Sequence, residues 1–220
     1  MTHDALIVFI KAPRTGTVKT RLASALGVDL ATELYRALAE IEIRNTDAPR
    51  AVYRRVLYYA PADAGAELAA WLPLEATAAQ RGADLGQRMA AAFDETFARG
   101  ARRAAIIGTD VPWLTRGHVT RALGSLADHD LAVGPARDGG YYLLALDRPR
   151  PELFEAVAWS TGSVLATTLE RAAGLGLRVH RLEPLPDLDT PDDLEREWPR
   201  LKPLLADAAL AARLAQALSR

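Results

Sequence analysis

Cysteine is absent from this chain, which excludes a disulfide framework, thiolate zinc sites, iron-sulfur ligation and a cysteine nucleophile. A reducing cytoplasm is the expected setting. Lysine is scarce: only Lys11, Lys19 and Lys202 among the 27 basic residues are lysines, which leaves 24 arginines. No charge of one sign prevails either, because 27 basic residues stand against 28 acidic ones for a formal net charge of −1. The basic footprint of a nucleic-acid-binding protein is missing, and no nucleic-acid partner is expected. The apolar run at residues 5–10 is too short for a signal-peptide core or a membrane span, and no basic segment precedes it, so no membrane partner is expected. Several catalytic signatures are also missing: the G-x-S-x-G nucleophile elbow, the G-x-G-x-x-G dinucleotide fingerprint and HExxH spacing among His3, His118, His129 and His180.

What remains is the composition of one soluble globular domain: 220 residues, 50% hydrophobic and 25% charged. There is no fixed-period repeat, composition shift or long Gly/Ser linker. We expect one domain over residues 1–198 and a helical tail, residues 199–220, packed on it. Residues 5–10 form a continuous apolar run stopped at Lys11-Ala12-Pro13, the pattern of a central parallel strand buried on both faces. Helical spacing follows from Val18 through Leu22, Leu26, Leu30, Leu34, Leu38 and Ile41, with Gly27 as a break. The alternation then recurs: strands at 51–59, 74–79, 104–108, 131–133, 141–146 and 177–182, helices at 62–72, 84–99, 115–126, 163–173 and from 191, and a tail helix over 201–218. This order predicts an α/β fold with a mostly parallel sheet covered on both faces.

Open α/β sheets bind ligands beyond the carboxyl ends of their strands. Four such places carry chemistry. In Lys11-Ala12-Pro13-Arg14-Thr15-Gly16-Thr17-Val18-Lys19-Thr20-Arg21, four cations and a glycine stand between a buried strand and a helix, which suits an anion such as phosphate. Two of the three lysines fall here, in a chain that otherwise uses arginine. The segment is not a Walker A loop, since Pro13 and Val18 hold the positions where that motif requires glycine. Asp110, in Gly108-Thr109-Asp110-Val111-Pro112, is open to two readings, a hard-cation ligand at a strand end or an Asp-X-Pro turn. Asp138-Gly139-Gly140 either lets a ligand approach the backbone or makes a plain hairpin turn. In Asp187-Leu188-Asp189-Thr190-Pro191-Asp192-Asp193, Thr190 reads as a helix N-cap with Pro191 at the first helical position and Asp193 completing a capping box. Asp187 and Asp189 precede that cap, where a second metal-binding carboxylate can sit.

Taken in order, the first loop with Leu22, Asp84-Leu85-Gly86-Gln87-Arg88-Met89, Ile107 to Pro112, Asp138 to Tyr142, Trp159-Ser160-Thr161 and Asp189 to Leu194 resemble one family. It is the radical-SAM/selenodomain-associated transferase family, glycosyltransferase-like and similar to 2-phospho-L-lactate guanylyltransferases. The resemblance runs over residues 6–194. It implies the nucleotide-diphospho-sugar transferase fold, also called glycosyltransferase type A, a three-layer α/β/α sandwich. It further implies that Ala12, Pro13, Arg14, Gly16, Lys19 and Arg21 hold the phosphates of a nucleotide, with Arg88 either a further contact or an exposed helical arginine. Asp110 and Asp189 are then metal ligands for Mg²⁺, or alternatively Mn²⁺, with Lys19 and Asp110 the catalytic residues. Asp138, Gly139, Gly140, Trp159, Ser160 and Thr161 face the substrate.

The first loop lacks the Gly-Gly-rich pattern of sugar and cofactor nucleotidyltransferases. Thr109-Asp110-Val111 also lacks the Asp-X-Asp element of many metal-dependent glycosyltransferases, which favours nucleotidyl transfer. The expected function is Mg²⁺-dependent transfer of a nucleoside monophosphate from a nucleoside triphosphate to a small phosphorylated or acidic metabolite, with release of pyrophosphate. The alternatives are a glycosyltransferase using a nucleotide sugar and a non-catalytic nucleotide-binding module.

Overall fold

The structure is a computed structural model that describes residues 3–219; Met1 and Thr2, part of the expected amino-terminal segment, and Arg220, at the end of the expected tail, lie outside the described residues. The elements follow the order β1 (His3–Lys11), α1 (Thr20–Leu26), α2 (Val28–Asn45), β2 (Arg54–Ala60), α3 (Gly65–Trp71), β3 (Thr77–Ala79), α4 (Leu85–Ala98), β4 (Ala101–Ile107) and α5 (Arg116–Ser125). The second half continues with β5 (Leu131–Pro135), β6 (Tyr141–Leu146), α6 (Val164–Gly174), β7 (Val179–Arg181), α7 (Pro191–Leu201) and α8 (Ala208–Leu218). The seven strands form one sheet in the order β3-β2-β1-β4-β6-β5-β7. All neighbouring pairs are parallel except those of β6, which runs antiparallel to both β4 and β5.

Period-two alternation divides β1 between two cores. Leu6, Val8 and Ile10 face a cluster with Leu22, Leu34, Leu38, Leu194 and Leu214, which belongs to α1, α2, α7 and α8. Ala5 and Ile7 face a second cluster with Met89, Phe93, Phe154 and Ala172 on the α4 and α6 side. Helices cover both faces, giving the three-layer α/β architecture expected from the alternating elements.

The sheet order places the crevice. From β1 the chain crosses to β2 and β3 on one side, and β4 pairs on the other side of β1, so the direction in which successive strands are added reverses between β1 and β4. Such a switch point is where open α/β sheets leave room for a ligand.

Several boundaries differ from the sequence reading. The first helix starts at Thr20, since Lys19 adopts a left-handed conformation (φ 48°, ψ 42°) and serves as its N-cap. β2 starts at Arg54, because residues 49–52 close a turn (Val52 N–H to Pro49 O, 2.8 Å) and the buried Tyr53 hydroxyl donates to Thr46 O. The single tail helix expected over 201–218 is broken: Pro203 supplies no N–H, residues 202–204 tighten into a 3₁₀ turn, and α8 restarts where the Asp207 carboxylate accepts from the N–H groups of Ala209 and Leu210. Among the described residues, no helix is long and apolar enough to cross a membrane.

Candidate active site

The first loop leaves β1 with Ala12 N–H still on the ladder, donating to Ala60 O at 2.8 Å. A turn at residues 14–17, with Gly16 at φ 78°, then reverses the chain. Lys19 stands at its end in a backbone region that costs a residue other than glycine roughly 1–2 kcal/mol. That conformation turns the side chain inward, where it is only 3% exposed. The ammonium donates to Asp110 Oδ1 and, at 2.7 Å, to the carbonyl oxygen of Leu188, and it lies 3.6 Å from Asp189 Oδ1. Three connections that are remote in sequence therefore converge on one nitrogen.

Backbone contacts fix this convergence. Leu188, fully buried, donates its N–H to Asp110 O at 3.0 Å while its carbonyl takes the Lys19 ammonium. The Trp113 indole N–H holds Pro186 O at 2.7 Å. Thr190 and Asp193 form the capping box read from the sequence, with Pro191 in the first turn of α7, and the Asp193 carboxylate accepts from the N–H groups of Thr190 (2.9 Å) and Asp189 (3.3 Å). Asp189 is further paired with Arg21 at 3.0 Å.

Burial works against a charged Lys19, but Asp110, by charge and by hydrogen bond, and then Asp189 and Glu42 outweigh it, and the ammonium pKa is raised. It stays charged and offsets part of the two carboxylates' repulsion. Asp110 and Asp189 keep 54% and 39% of their side chains exposed, so each still offers oxygen to an incoming ligand. A pair of hard oxygens open to solvent suits a divalent cation that completes its shell with phosphate and water. Among the described residues, no group of three or more acidic or histidine side chains forms a ready-made metal cage.

Beside this crevice, a cleft of about 520 Å³ runs along the ends of β1, β2 and β3, lined by Lys11, Ala12, Arg14, Thr17, Ala60, Pro61, Ala62, Gln80, Gly82 and Arg88. Arg88 Nε is anchored on Gly82 O at 3.0 Å, which sets the guanidinium in the cleft wall. Arg14 also lines the cleft, but its guanidinium is held by Glu67 on α3 (2.5 Å) and by Asp63 in the turn before it (3.2 Å), which raise its pKa. Lys19 and Arg21 do not line it; both point to the carboxylates. The basic loop thus divides its cations: Lys11 and Arg14 face the cleft, and Lys19 and Arg21 the Asp110–Asp189 pair. Pro13, which is half-buried, sits between the cleft residues Ala12 and Arg14.

The hairpin between β5 and β6 carries the third motif. Asp138 Oδ1 accepts from Gly140 N–H at 2.8 Å, and Ala136 N–H pairs with Gly140 O at 3.1 Å, which closes the hairpin turn. Gly139 is needed for a further reason: at φ 89°, a Cβ on it would meet Gly162 O at 2.1 Å. Its carbonyl accepts from Leu165 N–H at 2.9 Å, so the hairpin docks on the segment that carries Trp159, Ser160 and Thr161. Trp159 packs against Gly86 at the start of α4, leaving no room there for a side chain. Ser160 takes φ 62°, and the Thr161 hydroxyl is occupied by Ala158 O (2.7 Å) and Ser163 Oγ (2.8 Å). Burial, then Asp138, raises the Asp187 pKa, so the hairpin adjoins the acidic segment before α7.

Two residues of the site escaped the sequence reading. Glu42 on α2 is 1% exposed, and its Oε2 accepts Val111 N–H at 3.2 Å; burial, then the charge of Asp110, lifts its pKa well above the ordinary carboxyl range. Tyr35, also buried on α2, bonds both the N–H (2.7 Å) and the carbonyl (3.1 Å) of Lys11. The available signal is helical spacing: Tyr35, Leu38 and Glu42 recur at three- and four-residue steps on one apolar stripe, where a carboxylate is out of place.

Comparisons with known proteins bear on the family and the fold. A phosphoenolpyruvate guanylyltransferase from Sphaerobacter thermophilus is 32% identical over 192 residues, covering 86% of this chain and 90% of the relative. The crystal structure of a Desulfovibrio desulfuricans protein, provisionally described as a nucleotide-diphospho-sugar transferase, superposes with a TM-score of 0.87 at 32% identity, over 98% of this chain and 95% of that one. A 4-diphosphocytidyl-2C-methyl-D-erythritol synthase from Anaerococcus prevotii shares the fold at 9% identity, with a TM-score of 0.56 over 90% of this chain and 99% of that one. Residues 45–161 match the family described as uncharacterized protein conserved in bacteria (DUF2064). This chain belongs to that family and is a transferase built on the nucleotide-diphospho-sugar transferase fold.

Proposed function

We propose that the chain is a Mg²⁺-dependent nucleotidyltransferase. An oxygen of a small phosphorylated or acidic acceptor attacks the α-phosphorus of a nucleoside triphosphate, the bond to the bridging oxygen of the β-phosphate breaks, and pyrophosphate leaves. The observation that carries this reading is the meeting of Lys19, Asp110 and Asp189 at the switch point, beside a cationic cleft whose volume is that of a small-molecule site. Asp110 and Asp189 are the residues that would hold Mg²⁺, which supplies neutralisation of phosphate charge when bound.

The protein's own part is positioning and fixed charge. Lys11 and Arg88 take the phosphates along the cleft, and Arg14 joins them by giving up or sharing its carboxylate partners Asp63 and Glu67. Lys19 holds Asp110 and Asp189 in one orientation and adds a buried positive charge beside the reacting phosphate. Gly139 and Gly140, with the Trp159 to Thr161 segment docked against them, form the wall on the acceptor side. The guanylyltransferase relative makes guanosine triphosphate with phosphoenolpyruvate the first substrate pair to assay.

The Desulfovibrio protein's description favours a second reading, glycosyl transfer from a nucleotide sugar. The products separate the two: pyrophosphate for nucleotidyl transfer, nucleoside diphosphate for glycosyl transfer. The test is thermal stabilisation of the protein by each of the four nucleoside triphosphates and a panel of nucleotide sugars, with and without Mg²⁺. A Mg²⁺-dependent rise in midpoint with a triphosphate, lost in Asp110→Ala, is the expected result. A rise with nucleotide sugars alone transfers the assignment to the second reading.

A further inference from the structure

A fully buried carboxyl group lies directly behind the candidate site. Glu42 is 1% exposed, on the face of α2 that packs under the ends of β1 and β4. Isolated burial of a carboxyl group is costly, and a leucine fills such a space without that cost. What the carboxyl adds is an acceptor. Its Oε2 takes the N–H of Val111, the residue after Asp110, at 3.2 Å.

Two turns earlier on the same helix, the Tyr35 hydroxyl clamps Lys11 and stands 3.5 Å from Thr109 Oγ1, on the residue before Asp110. Asp110 is thus flanked on both sides by residues held from α2. The same helix pins the start of the basic loop. The Asp110 side chain is half exposed and takes its hydrogen bond from Lys19 on one side, so where its carboxylate stands depends also on how its backbone is held.

We propose that Glu42 is a positioning residue for Asp110, acting through the Val111 amide, so that α2 sets the placement of the Asp110 carboxylate relative to Lys19 and Asp189. The proposal rests on the reading of Asp110 as a metal ligand in nucleotidyl transfer. Glutamine keeps an acceptor at the same reach and leucine does not.

The experiment compares full-length wild type, Glu42→Gln and Glu42→Leu by three measurements. These are amide hydrogen exchange over residues 108–114, Mn²⁺ affinity by electron paramagnetic resonance, and transfer kinetics against Mg²⁺ and triphosphate separately. In Glu42→Leu, exchange over 108–114 is expected to accelerate at least about tenfold, and Mn²⁺ affinity to fall about 10- to 100-fold, the usual effect of losing a group that orients a metal ligand. Half-saturating Mg²⁺ rises in parallel, while KM for the triphosphate at saturating Mg²⁺ stays within about threefold of wild type. Glu42→Gln is expected to behave as wild type in all three.

A folded Glu42→Leu protein with unchanged exchange and Mn²⁺ affinity overturns the proposal, and so does a Glu42→Gln protein as impaired as the leucine variant. Should Glu42→Leu not fold, Glu42→Met, longer and more adaptable, takes its place with the same outcomes. A wild type that transfers nothing from any triphosphate defeats the proposed function alone, because exchange and Mn²⁺ binding still decide the role of Glu42. A wild type that does not bind Mn²⁺ leaves the exchange measurement to decide it.

Discussion

The ammonium of Lys19 donates a 2.7 Å hydrogen bond to the carbonyl oxygen of Leu188, 169 residues further along the chain. Leu188 in turn donates its N–H to the carbonyl of Asp110. One lysine and one buried backbone unit thereby lock the loops after β1 and β4 to the segment before α7, and both carboxylates of the candidate site are set by that lock.

Replacement of Asp110 bears on both chemistry and stability. Asp110→Asn keeps an oxygen for the Lys19 ammonium but removes the charge that outweighs its burial, so stability is expected to fall by about 1–3 kcal/mol while turnover falls about 100-fold or more. Chemical denaturation and initial rates of pyrophosphate release check the two halves. Turnover within a few fold of wild type contradicts the assignment.

The left-handed backbone at Lys19 makes a different comparison informative. Both Lys19→Ala and Lys19→Gly lose the ammonium and leave two carboxylates facing each other, so both are expected to lose activity. Glycine relieves the backbone cost that alanine retains, so Lys19→Gly should be the more stable of the two by about 1 kcal/mol. Urea unfolding of the pair measures it directly, and equal stabilities contradict the strain argument.

How much of this arrangement is legible in the sequence depends on the residue. The buried strand ending at Lys11 and the aspartate after β4 are plain, because period and proline stops mark strand ends and strand ends mark the site. The capping box at Thr190 and Asp193 is equally plain, being a local pattern. The partners of Lys19 are not legible. The ammonium reads as a phosphate ligand from its loop, yet it is satisfied by a backbone carbonyl at Leu188 and two carboxylates, which only the sheet order brings near. Arg14 is similar: Asp63, in the turn before α3, and Glu67, on α3, are exposed residues with no mark of their own. Glu42 carries a signal in its place on an apolar stripe, but its partner, a backbone N–H, carries none. The break in the tail at Pro203 is visible in the sequence and is outweighed there by the Ala/Leu pattern on either side.

Gly139 admits no side chain. Gly139→Ala places a methyl group against Gly162 O from a positive-φ backbone, so a loss of stability on the order of 2 kcal/mol is expected. Because the hairpin docks on the segment from Trp159 to Thr161, KM for the acceptor should rise more than KM for the triphosphate. Equal changes in the two constants contradict the placement of the acceptor on this side.

The α7 capping box gives a pH dependence with a defined sign. Burial pushes the Asp193 carboxyl up, but hydrogen bonds from the Thr190 hydroxyl, Arg196 and the N–H groups of Thr190 and Asp189 hold it below the ordinary value of 3.8. A carboxylate lowered in the folded state contributes stability that is complete above its unfolded pKa and is lost as pH falls through the folded one. Asp193→Asn is therefore expected to cost about 1 kcal/mol at neutral pH, with the difference from wild type shrinking as pH drops below the ordinary aspartate value. Thermal melts from pH 7 down to pH 2.5 follow it; a difference that grows on acidification contradicts the sign.

The central claim is that the crevice at Lys19, Asp110 and Asp189 transfers a nucleoside monophosphate. Its most direct test is a reaction with each α-³²P-labelled nucleoside triphosphate and a panel of phosphorylated and carboxylic acceptors, following the label and pyrophosphate together. The expected result is label joined to one acceptor class with one pyrophosphate released per transfer, dependent on Mg²⁺ and lost in Asp110→Ala. Label that never leaves the triphosphate, alongside release of nucleoside diphosphate from a nucleotide sugar, contradicts it.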